Sequence, residues 1–304
     1  MRLFSVWDPA AGRRRLCVES NGDLLPVGDG AGYEDVAPLV ARRAEPLEEA
    51  VAAEGTGPPL GRLEPVSAAP PTRAEMHLSA PVAPAEVWAA GVTYERSRDA
   101  RMHESTERDV YARVYEAERP ELFFKATGSR IVGPGAPVGL RSDSKWQVAE
   151  PEIGLVLRAD GEIAGYTLGN DMSSRDIEGE NPLYLPQAKM FSGSCALGPA
   201  VVPASEVGDP YSLELELRIL RSGDLVFSGS TSTARLRKRF DILLAYLARD
   251  NWIAPGTVLL TGTGIVPPDD FTLQPGDVVE IANEQIGVLR NRCEAAGSLE
   301  LPPR

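Results

Sequence analysis

The 304-residue chain holds only two histidines, His77 and His103, and three cysteines, none in C-x-x-C spacing. Two histidines exclude a histidine-rich metal centre. An odd, scattered set of cysteines excludes a disulfide framework and a cysteine zinc site, so Cys17, Cys195 and Cys293 are expected as small buried apolar residues in a reducing compartment. Long apolar runs are missing too: nothing approaches the roughly 18 residues that cross a membrane. The opening "MRLFSVWDPAAGRRRL" is broken by Asp8 and Pro9 and lacks the form of a secretion signal, so a cytoplasmic protein is expected. Positive charge is the scarcer sign, with 31 basic against 44 acidic residues and a net charge of −13. That balance repels nucleic acid and anionic membranes, and neither is expected as a partner. The one basic cluster, "ARLRKRF" at 234–240, opens a run of helical apolar spacing and predicts a solvated helix face. "TGTGIVPP" has glycines but follows a strand and runs into two prolines, which excludes a phosphate cradle while leaving hydroxyls suited to a carboxylate.

What is present is rich in strand patterns. The first 75 residues offer the short strands "RLFSVW" and "RRLCVES" and helical spacing within 33–55, and residues 65–75, "PVSAAPPTRAE", have the composition of a connection. A boundary there gives a small N-terminal α/β domain, 1–75, and a main domain, 76–304. From residue 87 strand candidates dominate, interrupted by helical runs near 96–118 and 237–251. Strands that do not alternate regularly with helices predict an α+β architecture, not a doubly wound parallel sheet.

The chemistry centres on "WQVAEPEIGLVL". Side chains two apart on a strand share a face, so Glu150 and Glu152 project side by side. Like charges that close call for solvent, protons or a cation, and Mg²⁺ accepts such oxygen ligands. Spacing alone favours a solvated strand face over a metal site. Asp171 closes the next strand candidate, beyond a turn at Asp160-Gly161, and a hairpin would bring it to the glutamates; by itself it also reads as a helix N-cap. Lys189, in "NPLYLPQAKMFSG", is one of only four lysines against 27 arginines. Among apolar neighbours it can act as a base or polarise a carbonyl, where a surface lysine would only snorkel. His103 is expected exposed on a helix.

Taken in order, "EPEIGLVL", "GYTLGNDMSSRD", "ALGPAVV", "PGTVLLTGT" and "LQPGDVVEI" with "IGVLRN" resemble the fumarylacetoacetate hydrolase superfamily over roughly residues 87–292. "VYEAERPELFFKAT", "RSDSKW", "ENPLYLPQAK" and "DPYSL" are most similar to those members that dehydrate 2-keto-3-deoxy sugar acids. The resemblance implies a mixed, strongly curved β-roll assembled as a homodimer or homotetramer, acting on a small 2-keto acid. It implies that Glu150, Glu152 and Asp171 bind a divalent ion, usually Mg²⁺ with Mn²⁺ or Ca²⁺ as substitutes. Lys189 then matches the family's active-site lysine, and Thr263, with Arg175, orients the substrate acid. Two departures bear on the reaction. Carbon–carbon hydrolases of the family carry an "NYxxHxxE" stretch whose His and Glu activate water; here "TYERSRDA" puts Ser97 and Ala100 there. Where those hydrolases tend to carry glutamine, "RDIEGEN" has Glu178, which can exchange a proton. The expectation is a Mg²⁺-dependent dehydratase converting a 2-keto-3-deoxy-pentonate to α-ketoglutarate semialdehyde through an enolate. Lys189 would be the base at C3, and Glu178 or a metal-held water would protonate the leaving hydroxyl. The alternative on the same scaffold is an acylpyruvate hydrolase or oxaloacetate decarboxylase, with His103-Glu104 replacing the missing dyad.

Overall fold

Apolar runs bounded by turn residues become strands buried on both faces, and Pro151–Leu157, buried throughout, pairs antiparallel with Ile163–Asp171 as the turn at Asp160-Gly161 requires. The computed structural model describes residues 1–28, 32–42, 45–104 and 108–300, except the side chains of 101, 103, 104 and 108–111. The sheet built around that hairpin is twelve-stranded and mixed. Its path runs Gly61–Arg62, Asp23–Pro26, Arg13–Ser20, Leu3–Asp8, Cys195–Pro203, Ile163–Asp171, Pro151–Leu157, Val258–Leu260, Glu86–Gly91, Glu121–Thr127. Val258–Leu260 and Glu86–Gly91 run parallel. A five-stranded sheet runs Asp224–Ser232, Glu214–Arg221, Val278–Asn283, Gly287–Ala295, Val138–Leu140.

Strand alternation sends Ile153, Leu155 and Leu157 to one face, where they join Leu215, Leu217, Ile281 and Leu289 of the five-stranded sheet in one apolar cluster. Val156, Val258 and Leu260 belong to a second cluster with Val36, Leu39, Leu47 and Val51 from the helices Val36–Arg42 and Leu47–Glu54. The N-terminal strands extend the large sheet, with Leu3 opposite Val201. The result is a mixed α+β fold, a large sheet with few helices. No helix among the described residues is long and apolar enough to cross a membrane.

Three local expectations change. The helical run within 33–55 is two helices, because Pro46 starts the second and cannot continue the first. The connection expected at 65–75 begins inside the helix Leu63–Ala68, which buries Val66. The basic cluster at 234–240 is not a solvated helix face. The helix starts only at Phe240. Before it, Lys238 is buried and donates to the Ala117 carbonyl, while Arg239 lies 3.7 Å over the Tyr211 ring.

Candidate active site

The large sheet gathers three carboxylates at one end. Glu152 lies opposite Gly169, and the Asp171 N–H donates to the Glu150 carbonyl at 2.9 Å, so Glu150, Glu152 and Asp171 share a face. All three are buried, and ligand oxygens from the three lie within 4.8 Å of one another. Lys189 ends the short helix Leu185–Lys189 and is 1% exposed. Its Nζ donates to Glu150 Oε2 at 2.5 Å and to Asp171 Oδ2 at 3.0 Å. Arg175 opens the helix Arg175–Glu180, is buried, and donates from Nη1 to Glu150 Oε1 at 2.7 Å.

Glu152 is held differently. The Gly262 N–H donates to its Oε2 at 2.6 Å, and among the described residues no cation pairs with it. Gly262 sits at φ +90°, and a Cβ there would fall 2.0 Å from Thr93 Oγ1, so only glycine brings this N–H to the carboxylate. Burial pushes the Glu152 carboxyl well above the usual carboxylate range, and the neighbouring Asp171 and Glu150 charges add to it. An anion so placed has a position for a cation that no side chain fills, and an all-oxygen donor set suits a hard ion such as Mg²⁺.

The carboxylates share with Lys189, Glu178 and Thr263 a cavity of about 20 Å³, room for little more than one water. Glu178 is buried and accepts from Ser173 Oγ at 3.0 Å. Arg175 does not line the cavity; it stands behind Glu150. Ser97 does line it, but its hydroxyl donates to the Tyr94 carbonyl at 2.8 Å and accepts the Tyr94 N–H at 3.2 Å. Occupied as a turn-closing group, it is not poised to activate water. The His103 and Glu104 side chains lie outside the described residues.

Two residues escaped the sequence reading. Lys125, fully buried on Glu121–Thr127, places Nζ 2.6 Å from Asp171 Oδ1, an ion pair not aligned as a hydrogen bond. The same Nζ donates to the carbonyls of Met172 at 3.0 Å and Lys189 at 2.5 Å. A lysine inside the apolar run "ELFFKAT" was the available signal. Glu121, on the same strand, lines the cavity opposite Gly91, where a Cβ would lie 2.2 Å from its Oε2. Nothing in local spacing connects those two.

Among known proteins, the family described as fumarylacetoacetate (FAA) hydrolase C-terminal matches residues 86–294. A probable 2-keto-3-deoxyxylonate dehydratase of Haloferax volcanii is 51% identical over 217 residues, 71% of this chain and 75% of that one. The 2-dehydro-3-deoxy-D-arabinonate dehydratase of Saccharolobus solfataricus is 45% identical over 219 residues, 71% of this chain and 74% of that one. A solved 2-keto-3-deoxy-D-arabinonate dehydratase, complexed with magnesium and 2,5-dioxopentanoate, superposes with a TM-score of 0.82 at 35% identity, covering 97% of this chain and 99% of that one.

Proposed function

Since the chain belongs to the fumarylacetoacetate hydrolase family, we propose that it is a Mg²⁺-dependent carbon–oxygen lyase that dehydrates a 2-keto-3-deoxy sugar acid, a pentonate first, to α-ketoglutarate semialdehyde. The observation that carries this reading is Lys189 Nζ held 2.5 Å and 3.0 Å from two carboxylates of a buried acidic triad. Glu150, Glu152 and Asp171 would hold the ion. When bound, it supplies positive charge to the substrate's carboxylate and 2-keto oxygen, which favours the enolate.

The chain's own residues do the rest. Lys189, which stands as an ammonium between Glu150 and Asp171, first loses a proton to solvent and then takes the C3 proton as the neutral amine. The electron pair released forms the enolate and then a C3–C4 double bond as the C4 hydroxyl departs, protonated by Glu178. Proton shifts move the unsaturation to C5, leaving an aldehyde with no carbon lost. Thr263 orients the acid group, and Arg175 acts through Glu150, fixing its carboxylate. We further read the sheets as a strongly curved roll, residues 1–75 as a small N-terminal domain, and the protein as a cytoplasmic homodimer or homotetramer. The hydrolase alternative is disfavoured by Ser97, whose hydroxyl is taken by Tyr94.

The test is incubation of the Mg²⁺-loaded enzyme with 2-keto-3-deoxy-pentonate in deuterated solvent. The product should weigh one water less than the substrate, and Lys189→Met should stop both product formation and C3 deuterium exchange. Exchange surviving in that variant removes Lys189 as the base, and fast cleavage of acylpyruvates defeats the lyase reading.

A further inference from the structure

Beside the space around the carboxylates lies a second cleft of about 430 Å³, within the range of small-molecule sites of roughly 300–1,000 Å³. It has no part in the chemistry derived above. Two segments wall both spaces. The helix Glu95–Glu104 gives Ser97 to the inner cavity and Arg96 and Ala100 to the outer cleft. The loop after Val258–Leu260 gives Thr263 to the inner cavity and Val266 to Asp269 to the outer cleft. Ala100 stands three residues beyond Ser97, about 4.5 Å along the helix axis, a distance that a few carbon–carbon bonds cover.

Lys189 and the triad fix where C1 to C3 of the acid must sit. The inner cavity, about 20 Å³, has room for little more than one water, so its wall at Ser97 and Thr263 has to give way for C1 to C3 to enter, and the tail trails through that opening toward the outer cleft. A cavity of about 150 Å³ already holds a six-carbon ring. The cleft is therefore much larger than the single terminal carbon of a pentonate requires.

Its charge narrows the class of tail. Among the described residues, the charged side chains lining it are Arg96, Asp99 and Asp269. Asp99 is engaged by Arg98, with Nε and Nη2 donating to its Oδ1 at 2.9 Å and 2.7 Å. That leaves one guanidinium and one carboxylate. Arg96 can donate to a hydroxyl oxygen, and Asp269 can accept from a hydroxyl hydrogen. Among the described residues these two give no cationic excess of the kind that holds a second carboxylate or a phosphate. Ala100, Met102, Val266 and Pro267 give the remaining wall an apolar character suited to the carbon backbone.

Resting on the proposed dehydratase activity, we infer that this cleft is a subsite for a neutral, hydroxylated tail beyond C4, so that six-carbon 2-keto-3-deoxy acids are substrates alongside the pentonate. The same elimination and proton shifts acting on a hexonate yield a 2,5-diketo acid with a 6-hydroxyl in place of the semialdehyde. One water is lost and all six carbons are kept. Arg96 and Asp269 are the tail-binding residues, and Ala100 and Val266 set the space.

The experiment compares kcat/KM for 2-keto-3-deoxy-pentonate, 2-keto-3-deoxy-hexonate and the hexonate oxidised to a second carboxylate at C6, using Mg²⁺-loaded enzyme. The hexonate should fall within tenfold of the pentonate, and the dicarboxylate should be at least 100-fold poorer than either. Ala100→Trp, which fills the cleft from the solvent-facing helix, should lower the hexonate-to-pentonate ratio at least tenfold. Arg96→Ala should raise KM for the hexonate more than for the pentonate. A wild-type hexonate rate more than 100-fold below the pentonate rate, or a ratio that neither variant moves, overturns the subsite while leaving the dehydratase standing. Failure of the wild type to dehydrate the pentonate overturns the activity itself and the subsite with it.

Discussion

Glu152 is a buried carboxyl with two like-charged neighbours and one backbone donor, so its ionised form opposes folding. Its folded-state affinity for a proton exceeds that of the unfolded chain. The contribution to stability is therefore full below the ordinary carboxylate range and declines as pH rises above it. Glu152→Gln keeps the shape and removes that decline. In metal-free buffer with a chelator its Tm should exceed the wild type's by a margin that widens from pH 5 to pH 8, while Mg²⁺-dependent turnover disappears. A variant melting below the wild type at pH 8 would contradict the electrostatic account. Lys125 is the opposite case. Lys125→Met leaves Asp171 short of a buried partner, and losing one member of a buried pair costs about 3–5 kcal/mol. Urea titration should show that loss, and a change within 1 kcal/mol would mean that Lys189 alone compensates Asp171. Glu150 and Glu152 were readable from period-two spacing because both lie on one local stretch. Lys125 was not, because its partners come from elements 47 and 64 residues away.

The segment most exposed to change is the helix pair Glu95–Glu104 and Arg108–Glu116. Among the described side chains its apolar attachment is a cluster of Val92 and Tyr115 with Met102 and Val114, and Arg98 covers the Tyr115 ring at 4.7 Å. Its roots are firmer: Tyr94 bridges to Leu236, the Arg237 N–H donates to the Thr93 carbonyl at 2.9 Å, and Lys238 reaches the Ala117 carbonyl. A helix pair on fixed roots at the mouth of the cavity is suited to closing over substrate, and an enolate benefits from the water this excludes. Amide exchange across 95–116 should slow when a 2-keto acid saturates the Mg²⁺-loaded enzyme, with exchange in Ile163–Asp171 unchanged. Equal exchange with and without ligand would remove the lid. The hairpin carrying the triad was legible because its turn and both strands are local. The basic cluster misled because the spacing of Phe240, Leu243 and Leu247 is genuinely helical, and only the long-range contact of Lys238 with Ala117 shows where that helix stops growing backwards. The place of Glu121 in the cavity depended on Val258–Leu260 pairing parallel with Glu86–Gly91, which no local period encodes.

Across the whole molecule, each of the three larger apolar clusters contains one cysteine: Cys293 in the cluster between the two sheets, Cys195 in that under the N-terminal helices, and Cys17 in that around Phe4 and Leu78. All are free and buried. Burial pushes each thiol from 9.0 up to about 12, so at pH 8.5 the folded chain presents almost no thiolate to an alkylating reagent and the unfolded chain presents a substantial fraction. The same shifts mean that the folded state loses stability as pH rises above 9 toward 12, since the unfolded chain releases these protons first. Pulsed alkylation along a urea gradient therefore reports the opening of each cluster separately. Ala200 of the central strand packs in the cluster of Cys17, and Leu3 pairs with Val201 beside it. Unfolding the first 75 residues alone would thus strip apolar partners and a strand neighbour from the centre of the large sheet. The three cysteines should become reactive at one common urea midpoint, read by mass spectrometry of the labelled peptides. Labelling of Cys17 at clearly lower urea than Cys195 would instead make residues 1–75 a unit that opens on its own.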